Sequence, residues 1–244
     1  MPIESPSLSA SGSSGRNLTY GLLDSLGRAI VTGAYDSSSF PTEGDLARQH
    51  KVSRSVTREA VKMLTAKGLL TARARKGTTV QPSSSWNLFD ADVLRWLLER
   101  KFSLELLRQF SELRIAIEPA AAALAAREGS PDSIAAIRAG LERMAAAEAD
   151  EDDPLEADIA FHIAILQASA NPFYMQFRDV VETALRTSIR FTNRFKGRTA
   201  SLPQHQAVLT AIEQRDVQAT REAMTALIAD VMILIDDAEA GGGI

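Results

Sequence analysis

The chain has 244 residues, of which 45% are apolar and 24% are charged, a balance typical of a folded protein with one large or two modest domains. It contains no cysteine, which excludes disulfides, thiolate metal sites and cysteine nucleophiles and suits a reducing compartment. No apolar run approaches the ~20 residues that cross a bilayer, and no secretory signal is visible. We therefore expect a cytoplasmic protein without a membrane partner.

Charge is unevenly distributed along the chain. Residues 1–85 hold 11 Lys and Arg against 6 Asp and Glu, a balance of +5, and residues 86–244 hold 16 against 25, a balance of −9. A basic N-terminal third on an acidic body favours contact between that third and a polyanion. Chance segregation of surface charge is the alternative.

Local patterns at the N-terminus predict a disordered arm followed by short helices. Residues 1–15 are rich in serine and carry one charge, so we predict that they are disordered. Apolar residues recur at helical spacing over residues 16–35, where Gly33 predicts a stop. Thr42 and Asp45 form a capping pair at the start of a second, short helix.

A third helix carries one apolar and one basic face. Ser53 is placed to cap it and Gly68 to end it. The apolar face comprises Thr57, Ala60, Val61 and Leu64, and the basic face comprises Arg54, Arg58 and Lys62. Two β-prone runs follow at residues 69–73 and 78–81, joined by a basic turn. This order is typical of a winged helix-turn-helix domain, which we place at residues 16–82, with a linker at residues 83–87.

No strand pattern is visible after the linker, and helical patterns follow one another with short connections. Seven helices are predicted, at residues 88–101, 103–127, 131–148, 154–169, 172–196, 203–214 and 216–238. The predicted fold is therefore mainly α: an N-terminal winged helix-turn-helix followed by an all-α antiparallel bundle over residues 88–240.

The third helix has the composition of a DNA-reading element. The first turns of such a helix meet base edges in the major groove, where an arginine can bind guanine through two hydrogen bonds. We expect these contacts from Arg54, Ser55, Val56 and Arg58. Lys76 and Gly77 at the tip of the hairpin are expected to reach phosphate or the minor groove of operator DNA. An ordinary solvated helix face is the alternative for the two arginines.

The same residues resemble a known family of regulators. Residues 41–47 read PTEGDLA and residues 52–61 read VSRSVTREAV, which is similar to the DNA-binding domain of the GntR family of transcriptional regulators. The resemblance implies that Arg54, Ser55, Val56 and Arg58 face the operator and that Gly77 lies in the wing. Gly44 stands where members of the family usually have arginine, so one DNA contact of the family is expected to be absent.

The second half of the chain resembles the all-helical effector (FCD) domain of the FadR-type branch of that family. Residues 111–114 read SELR, and Asp158, His162, the pair at 171–172 and His205 also match that domain. Residues 86–96, WNLFDADVLRW, resemble the galactonate operon repressors of the same branch. This resemblance implies a sugar acid as ligand.

Three side chains of the bundle have the chemistry of metal ligands. Asp158 and His162 are four residues apart and share one face of a helix, and His205 on a later helix can add a third ligand atom. Imidazole and carboxylate together suit zinc, nickel, manganese or iron. From spacing alone, a surface ion pair with His205 unrelated remains the alternative. The resemblance implies that all three are metal ligands, with Leu227 where many members have a fourth, a histidine. We therefore expect either a weaker metal site with three ligands or an anion pocket without metal.

A carboxylate ligand needs a cationic partner, and a buried arginine is well suited because its planar guanidinium binds both oxygens. Arg114, with Glu118 one turn later, and Arg186 are the candidates, and Asn193 is a candidate partner for a hydroxyl group. The expected effector site comprises Arg114, Asp158, His162, Arg186, Asn193 and His205.

These features lead to the hypothesis of an effector-responsive transcriptional regulator, a repressor rather than an enzyme. Two copies would associate through the bundles and bind a palindromic operator, and an aldonate or uronate such as galactonate, or a similar small carboxylate, would release it. One alternative is a metal-dependent hydrolase using Asp158, His162 and His205, for which no general base stands at a compelling spacing. Another alternative is an architectural DNA-binding protein with no ligand.

Overall fold

The structure is a computed structural model that describes residues 11–35, 39–73, 77–195 and 201–240. It divides the chain into two units, residues 1–101 and residues 102–244. The mainly α fold predicted from the sequence is confirmed, with a single hairpin of two strands in the described residues. None of the helices in these ranges is both long enough and apolar enough to cross a membrane.

The first unit contains four helices and the hairpin within its described residues. They are α1 (Ser11–Val31), α2 (Glu43–Gln49), α3 (Arg54–Ala66), β1 (Leu70–Arg73), β2 (Gly77–Val80) and α4 (Ala91–Leu97), with a short 3-10 helix at Ser83–Ser85. Helix α1 begins five residues before the predicted position, because a nucleated helix adds residues at little cost. Residues 1–10 of the predicted arm lie outside the described residues.

Helix α3 has the predicted cap and the predicted buried face. The Ser53 hydroxyl accepts a hydrogen bond from the Val56 amide, which satisfies one of the free N–H groups at the helix start. Thr57, Ala60, Val61 and Leu64 are buried in the first unit. Strands β1 and β2 then pair antiparallel, from Leu70 opposite Val80 to Arg73 opposite Gly77.

Residues 83–97 pack on the first unit, whereas the sequence analysis assigned 83–87 to a linker and 88–101 to the bundle. The indole of Trp86 donates to the Gln81 carbonyl at 3.0 Å, and Lys67 at the end of α3 forms an ion pair with Asp90 at 2.7 Å. Trp96 on α4 is fully buried against α1, where Gly27 leaves room for its ring. Burial of this large aromatic side chain explains why α4 joins the first unit.

The second unit is a bundle with seven helices in its described residues. They are α5 (Leu104–Glu128), α6 (Pro131–Glu148), α7 (Pro154–Ala168), α8 (Pro172–Met175), α9 (Arg178–Phe195), α10 (Leu202–Glu213) and α11 (Val217–Ala240). The main apolar core is formed by α5, α6, α7, α10 and α11. The single helix predicted over residues 172–196 is two helices, because a turn at residues 176–177 packs Phe177 beside a second apolar cluster.

Candidate nucleic-acid interface and candidate metal centre

The start of α3 presents a polar and basic surface. Arg54, Ser55 and Arg58 are exposed, Val56 is half-buried, and the opposite face of the helix is in the core. The Arg58 guanidinium lies 3.5 Å from the Glu43 carboxylate, but both side chains are solvated, so such a pair contributes only ~0–1 kcal/mol and leaves Arg58 available.

The predicted wing residues have different outcomes. Lys76 lies outside the described residues. Gly77 is exposed at the start of β2 with a φ of +78°, a backbone conformation that favours glycine. The structure therefore places Gly77 in the hairpin where the sequence predicted the wing.

In the second unit, two histidines and one carboxylate converge. Asp158 and His162 lie one turn apart on α7, and His205 is on α10. The Oδ1 atom of Asp158 is 3.6 Å from Nε2 of His162 and 3.0 Å from Nε2 of His205. One potential ligand atom from each residue lies within 4.8 Å of the other two. The alternative interpretation, a surface ion pair between Asp158 and His162 with His205 unrelated, is therefore wrong, because both imidazoles are almost fully buried.

Each imidazole has its other nitrogen engaged. Nδ1 of His205 donates to the Ser201 carbonyl oxygen at 2.8 Å, and Nδ1 of His162 contacts the Glu118 carboxylate. When each ring is neutral with its proton on Nδ1, its Nε2 carries the lone pair on the side of Asp158, and Nη2 of Arg114 also lies 3.4 Å from Nε2 of His162. The neutral ring is the form in which histidine binds metals.

Two buried polar atoms at this point lack a hydrogen-bond partner among the described residues, Oδ1 of Asp158 and Nε2 of His205. They are only 3.0 Å apart, but they do not form a hydrogen bond with each other. Buried polar atoms without partners are costly. A divalent cation held by Asp158, His162 and His205 would satisfy both, so the residues present fit a metal ion.

A buried charge network supports this cluster. Burial raises the pKa of Glu118, but the positive charges of Arg114 and His162 outweigh that effect and lower it to about 2. Burial lowers the pKa of His162, but the neighbouring carboxylates of Glu118 and Asp158 raise it to about 9. Burial also raises the pKa of Asp158, but the adjacent imidazoles of His162 and His205 hold it well below its ordinary value.

A cavity of about 480 Å³ lies over the cluster, within the size range of small-molecule sites. Its titratable side chains are those of Arg114, Asp158, His162 and His205, together with the carboxylates of Glu148 and Asp230. The remaining wall includes apolar side chains of α9 and α11, among them Leu185, Leu227, Val231 and Leu234, and polar side chains, among them Ser188 and Gln204. The cavity thus offers charged, apolar and hydrogen-bonding walls to one small molecule.

Four of the six predicted effector residues meet at this cavity, Arg186 does not, and the side chain of the sixth is outside the described residues. Arg186 binds Glu156 at 2.7 Å and Glu182 at 2.8 Å and does not line the cavity. The neighbouring Leu185 and Ser188 face the cavity instead, because successive helical residues point in different directions. The side chain of Asn193 lies outside the described residues.

Sequence reasoning missed the importance of Glu118, which is 1% exposed and contacts both Arg114 and His162. Its position four residues after Arg114 placed both side chains on one helix face, but spacing did not reveal the third partner. Gln204 and Asp230, which share a hydrogen bond of 2.6 Å at the cavity, had no signal in the sequence.

A winged-helix unit followed by a helical unit with a charged, ligand-sized cavity defines the class of ligand-responsive DNA-binding proteins. Residues 21–80 match the family profile described as bacterial regulatory proteins, gntR family, and residues 109–230 match the FCD domain. The chain therefore belongs to the GntR family of transcriptional regulators and carries an FCD domain, which confirms the resemblance noted in the sequence.

Two relatives from Escherichia coli (strain K12) cover most of the chain. The uncharacterized HTH-type transcriptional regulator YieP is 35% identical over 93% of this chain and 98% of its own length. The galactonate operon transcriptional repressor is 34% identical over 87% of this chain and 94% of its own length. The gntR profile and both relatives describe transcriptional regulators, so the chain is a regulator and not an enzyme, and the hydrolase alternative is wrong.

Solved structures share the fold at lower sequence identity. Lar, which controls the expression of the agr system of Listeria monocytogenes, is 19% identical and covers 90% of this chain and 97% of its own, with a TM-score of 0.57. E. coli McbR/YncC is 17% identical and covers 91% of this chain and 98% of its own, with a TM-score of 0.51. At this level of identity the comparison supports the fold alone.

Proposed function

We propose that this regulator is a cytoplasmic repressor that leaves its operator when a small hydroxylated carboxylate binds, together with a divalent metal ion, in the cavity of the second unit. The proposal rests on the buried atoms of Asp158 and His205 that lack a hydrogen-bond partner among the described residues, in a cavity that Arg114 also lines. The cluster would hold the metal, and the metal would supply positive charge for an anionic ligand.

The ligand class follows from the lining of the cavity. Arg114 has a hydrogen-bonding fork suited to a carboxylate, but Glu118 already balances its charge. Asp158, Glu148 and Asp230 add further negative charge to the lining, so an anionic ligand would depend on the metal. Ser188, Gln204 and Asp230 offer hydrogen-bonding groups suited to ligand hydroxyls. An aldonate or uronate has both features, and one relative is the galactonate operon transcriptional repressor of E. coli.

The DNA part of the proposal assigns base contacts to the start of α3. Arg54, Ser55 and Arg58 are exposed there, and Val56 is at the edge of the same surface. A homodimer would place two such helices on a palindromic operator with half-sites about one helical turn apart. Lys76 and Gly77 would contact the DNA backbone or minor groove.

Release requires that the ligand prefer one arrangement of the protein over another. A coupling of about 1–3 kcal/mol, which corresponds to about a 5- to 150-fold change in operator affinity, is the usual range for such regulators. A ligand without this preference would bind to the protein but would not release it from its operator.

The ligand part is tested by thermal unfolding with galactonate, glucuronate or lactate, each with zinc and with EDTA. A ligand at 100 times its Kd adds about 2.7 kcal/mol of stability. We expect this gain in stability with zinc in wild type and in the control Arg186→Ala, which removes a cation outside the cavity. The gain should be lost in Arg114→Ala and in His162→Ala. Equal gains in Arg114→Ala and wild type would disprove the site. No response to any carboxylate would favour the ligand-independent architectural protein.

The DNA part is tested with a duplex that the wild-type protein selects from a random library. Arg58→Ala should weaken binding by about 1–3 kcal/mol if Arg58 contacts a guanine. Arg127→Ala, which removes an exposed arginine of the second unit, should leave the affinity unchanged. Wild-type affinity in Arg58→Ala would refute this assignment.

A further inference from the structure

Glu118 connects the two chemical parts of the proposed site. It lies on α5 with 1% of its surface exposed, and both of its carboxylate oxygens are engaged. Oε1 accepts from Nε of Arg114, and Oε2 contacts Nδ1 of His162. One buried carboxylate therefore contacts both the Arg114 guanidinium, the candidate partner of an anionic ligand, and the His162 imidazole, a candidate metal ligand.

The contact with His162 has a defined consequence for metal binding. A carboxylate that accepts from Nδ1 keeps the proton on that nitrogen, orients the ring and makes Nε2 a stronger ligand. Nε2 of His162 is the atom on the side of Asp158, at 3.6 Å from its Oδ1. The Glu118 carboxylate thus acts on the metal position through His162 without contacting it.

The contact with Arg114 has a second, independent consequence. Glu118 binds the guanidinium through Nε, with a longer approach to Nη2 at 3.5 Å, and Nη2 also lies 3.4 Å from Nε2 of His162. Nη1 makes no hydrogen bond with a side chain or carbonyl among the described residues, and Arg114 lines the cavity. The edge of the guanidinium away from Glu118 therefore remains available to a carboxylate ligand.

We propose that Glu118 is the positioning residue of the site, which fixes His162 for the metal and Arg114 for the carboxylate. This inference rests on the proposed function. A glutamine at this position has one acceptor oxygen and one donor group. It therefore cannot offer a separate acceptor oxygen to each of Nε of Arg114 and Nδ1 of His162, as Glu118 does, and it carries no charge to hold either.

The test compares Glu118→Gln with Glu156→Gln, which removes a carboxylate paired with Arg186 outside the cavity. Zinc affinity is measured by calorimetry against a competing chelator, and galactonate affinity is measured on zinc-saturated protein. We expect Glu118→Gln to weaken zinc binding by about 10- to 100-fold, the usual effect of losing such a partner, and to weaken galactonate binding as well. The visible spectrum of the Co²⁺-loaded protein should also change in Glu118→Gln and stay unchanged in Glu156→Gln.

Arg114→Met separates the two roles. It should abolish galactonate binding while zinc affinity does not fall, because the Glu118 contact with His162 is kept. If Glu118→Gln fails to fold, Glu118→Asp keeps the charge but is too short to hold both partners, and it should weaken the binding of zinc or galactonate.

The outcomes distinguish this inference from the proposed function. Wild-type protein that binds neither zinc nor galactonate, nor another hydroxylated carboxylate, would overturn the proposed function and this inference with it. Wild type that binds both, with a folded Glu118→Gln or Glu118→Asp of the same affinities and the same Co²⁺ spectrum, would overturn the role of Glu118 alone.

Discussion

Two glycines of α1 allow the packing of α4 to be tested with a matched pair of variants. A Cβ at Gly27 would lie 2.2 Å from the indole of Trp96, whereas a Cβ at Gly21 would have no neighbour within 4 Å. Gly27→Ala and Gly21→Ala therefore make the same chemical change in the same helix, once against a buried ring and once toward solvent. We expect the two variants to have opposite effects on stability.

The magnitude follows from the contacts of Trp96. In a helix, alanine is favoured over glycine by roughly 0.5–1 kcal/mol, so Gly21→Ala should stabilise the first unit by about that amount. Gly27→Ala has the same gain, but overpacking of a close-packed site costs about 1–3 kcal/mol. A shifted indole would also lose its 2.8 Å hydrogen bond to Asp24, worth about 1.5–3 kcal/mol for a charged acceptor in a buried site and less in this partly exposed one. The net effect of Gly27→Ala should be destabilisation by about 1–3 kcal/mol.

Tryptophan fluorescence during urea unfolding is the suitable assay, because both tryptophans of the chain, Trp86 and Trp96, belong to the first unit. The midpoint of this transition should move up for Gly21→Ala and down for Gly27→Ala, with similar slopes. A rise for both variants would show that Trp96 does not lie against α1 and would return α4 to the bundle, to which the sequence pattern assigned residues 88–101.

Two further predictions concern single contacts. The hydrogen bond from Trp96 and the pairs with Arg95 and Arg28 lower the pKa of Asp24, so its contribution to stability is present above its unfolded pKa and is lost as the pH falls through its folded value. Asp24→Asn should therefore lower the free energy of unfolding, measured by urea denaturation, by about 1 kcal/mol at pH 7 and by less at pH 3. An equal loss at both pH values would contradict this reasoning. Leu227→His should add a fourth ligand at the cavity and tighten zinc binding by about tenfold or more, which corresponds to about 1.4 kcal/mol. Leu234 also lines the cavity, farther along α11, and Leu234→His should have no such effect. Calorimetry with zinc measures this difference, and equal affinities in Leu227→His and wild type would argue against a metal position next to Leu227.

The parts of the fold that depend on local pattern could be predicted from the sequence. Helix α3 was predicted with its Ser53 cap and its buried face, because capping and helical periodicity involve residues within a few positions of one another. The assignment of α4 to the first unit could not be predicted, because it depends on Trp96 fitting beside Gly27, a contact between residues far apart in the chain. Local periodicity predicts that a helix buries a face but does not identify the surface that covers it.

The candidate site shows the same division. The i, i+4 spacing placed Asp158 and His162 on one face, whereas the addition of His205 came from the family resemblance, because no local rule relates α7 to α10. The stripe of arginines on α9 did not indicate which side of that helix faces the cavity, so Arg186 was selected where the structure places Ser188. Glu118 was recognised only as a neighbour of Arg114, because its contact with His162 joins two helices.

The most direct test of the account is fluorescence anisotropy of a selected operator duplex, with zinc-loaded protein titrated with galactonate and related hydroxylated carboxylates. We predict that one of these ligands releases wild type and Arg186→Ala, that Arg114→Ala and His162→Ala stay on the duplex, and that EDTA raises the ligand concentration needed for release. Release of Arg114→Ala and His162→Ala at the wild-type concentration, or no release of wild type by any of these carboxylates, would contradict it.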